Sequence, residues 1–62
     1  MLQSLRILLL DDDPLVHTTL RLLLATTVDL ALVGETANVA VLTELCTQTK
    51  PHILLLGGVI RH

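Results

Sequence analysis

An apolar run that changes abruptly into acidic residues and a proline constrains the fold of this chain more than any other feature. The sequence Leu8-Leu9-Leu10 is followed directly by Asp11-Asp12-Asp13 and then by Pro14. Consecutive apolar residues over positions 7–10 are typical of a short strand that is buried on both faces. Asp followed by Pro is typical of a helix N-cap and the first helical residue. The carboxylates are therefore predicted at the carboxyl end of a strand, where parallel sheets bind ligands.

The rest of the sequence alternates between helical and strand patterns. Strands are predicted at 6–10, 30–33 and 53–56, the second ended by Gly34 and the third closed by Gly57-Gly58. Helices are predicted at 15–26 and 37–48, the latter stopping before the Lys50-Pro51 pair. One face of the first helix is expected to be buried, with His17 mostly outside it; that face carries Val16, Leu20, Leu23 and Leu24.

This β-α-β-α-β order predicts an α/β fold with a three-stranded parallel sheet in the order 2-1-3 and right-handed crossovers. The first strand is expected to be central. The third strand is expected to form a bare apolar edge, and we expect self-association through it because natural proteins usually cover or charge such edges.

Length and composition exclude several classes of protein. A chain of 62 residues forms one small domain at most. With a formal charge of −2, four Lys and Arg residues and no aromatic residue, direct contact with nucleic acid by this segment is not expected. No apolar run is long enough to span a membrane, and a cytoplasmic location is predicted.

Cysteine and histidine content argues against other site types. The single cysteine, Cys46, excludes an intramolecular disulfide and is expected to be a packed residue on a helix. His17, His52 and His62 are too dispersed for a recognised zinc spacing. We therefore expect structural or surface roles for all three.

The segment from Arg6 through Asp11-Asp12-Asp13-Pro14 to Val16 resembles the opening of a bacterial response-regulator receiver domain of the LuxR or NarL type. Residues 29–37 and 50–56 resemble the family's second strand and the approach to its third. The resemblance implies a partial flavodoxin-like fold, a truncated receiver domain over residues 1–62, and a sensor histidine kinase or another signalling protein as partner. It also implies that Asp11 and Asp12 help to hold Mg²⁺ beside an aspartate that accepts phosphate.

The chain departs from the family pattern at that aspartate, which aligns with Gly57. Glycine supplies neither a nucleophile nor a metal ligand. No Asp or Glu follows Glu44, and the family's later Ser or Thr and Lys positions lie beyond the pattern present here. We therefore predict a degenerate receiver domain that is not an enzyme, is not phosphorylated, and binds Mg²⁺ weakly or not at all.

The acidic run has other interpretations. Asp11 and Asp12 could be solvated acids beside a helix N-terminus, and Asp13 is predicted as a cap in preference to a ligand. Asp11 and Asp13 also have the Asp-x-Asp spacing that resembles the start of haloacid-dehalogenase-like phosphatases, which use Mg²⁺ and a nucleophilic aspartate. The helix predicted immediately after Pro14 leaves no room for the loop of those enzymes, so the receiver hypothesis is preferred.

Overall fold

The computed structural model describes residues 4–57 as one parallel sheet with two helices. The strands are β1 (Leu5–Asp11), β2 (Leu30–Thr36) and β3 (Ile53–Gly57). The helices are α1 (Pro14–Ala25) and α2 (Leu42–Thr49), and a 3₁₀ turn at Val39–Val41 leads into α2. The sheet order is β2-β1-β3, and both pairings are parallel. The predicted α/β fold and strand order, consistent with a partial flavodoxin-like unit, are confirmed.

The core of the molecule is the central strand. Ile7, Leu8, Leu9 and Leu10 are almost fully buried, as the uninterrupted apolar run predicts for a strand covered on both faces. Both helices pack mainly against β1 and β2. β3 therefore receives its main contacts from β1, and its leucines remain partly exposed.

The first helix begins where the sequence predicts. Asp13 has extended backbone angles, its side chain accepts a hydrogen bond from the Leu15 N–H, and Pro14 is the first helical residue. The buried face of α1 differs from the prediction, since His17 is buried and Leu23 is 59% exposed. Helical periodicity predicted that Leu23 would face the sheet. His17 faces the sheet instead, because its ring nitrogens bond to polar groups there.

The second helix starts later than the predicted residue 37. The Thr36 hydroxyl accepts a hydrogen bond from the Asn38 N–H, and the Asn38 side chain accepts one from Ala40 N–H. These bonds hold Asn38 in an extended conformation and start the 3₁₀ turn at Val39. The helix ends at Thr49, and Lys50 follows in the left-handed conformation with φ of 48°.

Gly34 does not end the second strand as predicted; β2 continues to Thr36. The register of β2 against β1 shifts between Ile7 and Leu8, so that Leu8 pairs with Gly34. A Cβ atom at position 34 would lie 2.8 Å from Leu8 Cδ1. Gly34 therefore allows Leu8 to pack closely against β2, and it does not form a turn.

Gly57 is the last residue of β3 and not a residue after it. Of the closing pair, Gly58 lies outside the described residues, as does His62. Within residues 4–57, neither helix has the length and hydropathy that a membrane span requires.

Candidate functional site at the carboxyl edge of the sheet

The structure brings the acidic run and Gly57 to the same edge of the sheet. Asp11 is the last residue of β1 and is paired in register with Gly57 at the end of β3. Asp11 is buried, whereas Asp12 and Asp13 are exposed. The position that the receiver resemblance assigns to a phosphate-accepting aspartate is therefore adjacent to Asp11.

The Asp11 carboxylate is bonded to the Asp13 amide and lies beside Gly57. Its Oδ1 accepts a hydrogen bond of 2.8 Å from the Asp13 N–H. Its Oδ2 lies 2.5 Å from the place where a Cβ atom on residue 57 would be. Asp11 consequently fills space that a side chain at position 57 would need, and any side chain there requires the carboxylate to rotate.

Asp13 belongs to the helix and not to a ligand cluster. Its Oδ1 accepts the Leu15 N–H at 2.9 Å, and its backbone oxygen accepts the Val16 N–H at 3.0 Å. Both bonds satisfy amide groups that are otherwise unpaired in the first turn of a helix. The predicted cap is confirmed.

The residues at this edge do not fit a resident magnesium ion. Mg²⁺ demands near-ideal octahedral coordination by oxygen, and proteins usually supply it with carboxylates and bound water. Here one Asp11 oxygen is engaged by a backbone amide, and Gly57 adds no side-chain oxygen. Among residues 4–57, no three His, Cys, Asp or Glu side chains are grouped so that they could hold a metal ion.

A second polar cluster, which the sequence analysis missed, lies behind the acidic edge. His17 Nε2 is 2.7 Å from the Asp11 backbone oxygen, and His17 Nδ1 is 2.6 Å from Glu35 Oε1. The Arg21 Nε–H donates to Glu35 Oε2 at 2.9 Å. These bonds join α1 to the carboxyl end of β1 and to β2.

The bonding pattern indicates the protonation state of His17. A backbone carbonyl and an ionised carboxylate are both acceptors, so both ring nitrogens of His17 must donate, which is the imidazolium form. The hydrogen bond to the Asp11 backbone oxygen, followed by the bond to Glu35, raises the pKa of His17 above 6.5.

Glu35 is shifted in the opposite direction. Partial burial favours its neutral form, but hydrogen bonds from His17 and Arg21 outweigh that effect and lower the pKa of Glu35 below 4.5. His17 and Glu35 are therefore both charged between pH 4.5 and pH 6.5. The spacing of His17 and Arg21, four residues apart on one helix face, is the only sequence signal that could have indicated a shared acidic partner.

The amino end of the same strands carries basic groups. Arg6 Nε and Nη2 donate to the Lys50 backbone oxygen at 3.1 and 2.8 Å. The Arg6 N–H donates to His52 Nδ1 at 2.9 Å, and the His52 N–H donates to the Arg6 backbone oxygen at 2.8 Å. His52 therefore has the structural role expected for it. Cys46 is a half-buried free thiol on α2.

No family model, curated protein sequence or solved structure matches the chain in comparisons with known proteins.

Proposed function

We propose that this chain is a degenerate receiver domain: a signalling module that resembles a phosphorelay receiver, accepts no phosphoryl group, and acts through contacts with other proteins. The observation that carries the proposal is the in-register pairing of Asp11 with Gly57. The parallel sheet has the strand order that the receiver resemblance implies, and Gly57 stands where that resemblance expects the acceptor aspartate.

The acidic edge supports a loss of phosphoryl chemistry. An acyl phosphate forms when a carboxylate oxygen attacks phosphorus in line with the leaving group. Asp11, the carboxylate nearest to position 57, is buried and is bonded to the Asp13 amide. In this proposal Asp11 and Asp12 are remnants of a magnesium site, and the module is not an enzyme.

The outer face of α1 supports a role in protein contacts. Leu15, Leu22 and Leu23 are each more than half exposed on this helix. Exposed leucines on one helix provide an apolar surface for a protein partner. A sensor histidine kinase or another cytoplasmic signalling protein is the partner class that the family resemblance suggests, and no direct contact with nucleic acid is proposed.

The phosphatase alternative has less support. It requires Asp13 as a functional carboxylate two residues after Asp11, but the Asp13 side chain caps α1. The helix begins at Pro14, so no loop separates the two acids from it.

Intact-mass spectrometry after incubation with acetyl phosphate and Mg²⁺ tests the proposal. We expect no added mass of about 80 Da, the mass of a phosphoryl group, under conditions that modify an intact receiver domain used as positive control. An adduct on the wild-type chain that disappears in Asp11→Asn or Asp12→Asn would contradict the proposal, because it would identify a working acceptor.

A further inference from the structure

The two edges of the sheet differ in chemistry. The outer strand β2 carries Glu35 and an irregular register beside Gly34, and both features discourage pairing with another strand. The opposite edge, β3, consists of Ile53-Leu54-Leu55-Leu56-Gly57 and has no polar side chain. Over residues 4–57, the part of the chain that the structure describes, only the β3 edge lacks features that oppose strand addition.

The leucines of β3 are exposed on both of its faces. Side chains alternate along a strand, so Leu54 and Leu56 share one face and Leu55 lies on the other. Their exposed fractions are 40%, 54% and 36%, respectively. Both helices lie mainly over β1 and β2, so within residues 4–57 neither helix covers β3 extensively.

We propose that β3 pairs antiparallel with β3 of a second copy of this chain, across a two-fold axis at Leu55. Three strands from each copy would then form one continuous sheet in the order 2-1-3-3-1-2. In this register Leu54 lies opposite Leu56 of the second copy, and Ile53 lies opposite Gly57. Each pair is apolar, and cross-strand apolar pairs stabilise a sheet.

Charge at the two ends of the strand favours the antiparallel orientation. The amino end of β3 lies beside Arg6, whose guanidinium donates to the Lys50 backbone oxygen, and the carboxyl end lies beside Asp11. Antiparallel pairing turns the Arg6 end of one copy toward the Asp11 end of the other at both ends of the interface. Parallel pairing would place like charges together.

We expect these charges to influence the orientation of the two copies more than the affinity of the dimer. Arg6 and Asp11 both lie on β1, so Asp11 of one copy is three strand spacings, or about 14 Å, from β1 and Arg6 of the other. That separation exceeds the Debye length of about 8 Å at physiological ionic strength. We therefore expect added salt to weaken the dimer only moderately, with the apolar pairs providing most of the affinity. This inference is independent of the proposed loss of phosphoryl transfer.

Sedimentation velocity of the full chain, from micromolar to millimolar concentration, tests the proposal. We expect a reversible monomer–dimer equilibrium for the wild type. Leu55→Lys places two like charges opposite each other at the axis, and we expect it to raise the Kd at least about tenfold. Val28→Lys adds the same charge on an exposed loop residue before β2, and it should dimerise like the wild type.

Disulfide trapping tests the register without relying on a charged variant. In a Cys46→Ser background, Leu55→Cys should form covalent dimers on oxidation, because facing residues of antiparallel strands have Cα atoms about 4.5–5.5 Å apart. Ile53→Cys should not, because the two copies of residue 53 would be four residues apart along the strand, or about 14 Å. Circular dichroism establishes that each variant is folded.

Three results would overturn the proposal. The first is a wild-type chain that is monomeric at millimolar concentration. The second is a dimer that Leu55→Lys leaves intact while Val28→Lys disrupts it. The third is efficient trapping of Ile53→Cys: with Leu55→Cys also trapped it would indicate a parallel pair, and with Leu55→Cys untrapped it would indicate another register or another surface.

Discussion

Replacing His17 by alanine should destabilise the fold considerably more than replacing Arg21, although both side chains bond the same Glu35 carboxylate. The His17 side chain is 11% exposed, whereas that of Arg21 is 56% exposed. A buried donor that is removed leaves its acceptors without partners, while water can replace an exposed one. The comparison therefore separates burial from ion pairing at a common carboxylate.

The magnitude follows from the contacts. His17→Ala removes a hydrogen bond to the Asp11 backbone oxygen, worth about 1 kcal/mol, and a charge-assisted bond to Glu35, worth about 1.5–3 kcal/mol. The higher helix propensity of alanine offsets about 0.5 kcal/mol. The expected loss is about 2–3.5 kcal/mol for His17→Ala, against about 0.2–1 kcal/mol for Arg21→Ala, whose own side chain is more than half exposed.

Urea unfolding followed by circular dichroism measures both losses. At about 0.05–0.15 kcal/mol per residue, a domain of this size has only about 3–9 kcal/mol of stability, so His17→Ala should remove a large part of it. The assay is best run near pH 6, where the His17 and Glu35 charges are both expected. Equal losses for the two variants, or a loss below about 0.5 kcal/mol for His17→Ala, would show that burial of the His17 side chain does not determine the cost of removing it.

Three further predictions concern the same fold. Stability should be greatest between about pH 4.5 and 6.5: the raised pKa of His17 adds stability that is fully present below 6.5 and is lost as the pH rises through the folded-state value, and the lowered pKa of Glu35 adds stability that is present above 4.5 and is lost as the pH falls through its folded-state value. Thermal unfolding across this range checks the profile, and His17→Ala should flatten its high-pH side. Asp13→Ala should cost about 1 kcal/mol through loss of the α1 cap, whereas an unchanged urea midpoint would mean that the bond to the Leu15 amide contributes nothing. Gly34→Ala should cost about 1–3 kcal/mol because its Cβ would approach Leu8 Cδ1 to 2.8 Å, and a more stable variant would show that Leu8 can move without penalty.

The sequence predicted the sheet because its strands are short apolar runs and its helices are bounded by strong local signals. Asp13-Pro14 located the start of α1 correctly, and the run ending at Leu10 identified the central strand. Both features depend only on residues adjacent in the sequence, so they can be predicted from a short segment. The register pairing of Asp11 with Gly57 also agrees with the expected proximity of the acidic run to the third strand.

The errors arose where long-range contacts outweigh local pattern. Gly34 has the composition of a turn, but its lack of a side chain accommodates Leu8 of the neighbouring strand. His17 was expected mostly outside the buried face, yet bonds to Asp11 and Glu35 draw it inward. Neither Asp11 nor Glu35 belongs to the helix that carries His17, so the hydrophobic pattern of that helix could not reveal these partners.

A Mg²⁺ titration of the wild type and of Gly57→Asp, followed by NMR of the amides of residues 11, 12 and 57, tests whether Gly57 occupies the position of a missing metal ligand. Gly57→Asp adds a carboxylate beside Asp11, provided that the Asp11 side chain rotates away from position 57. Gly57→Ala is the matched control, because it requires the same rotation and adds no ligand. We expect saturable binding by Gly57→Asp at least about tenfold tighter than that of the wild type or Gly57→Ala. Equal affinity in all three proteins would contradict the claim that Gly57 marks the missing member of a receiver-type metal site.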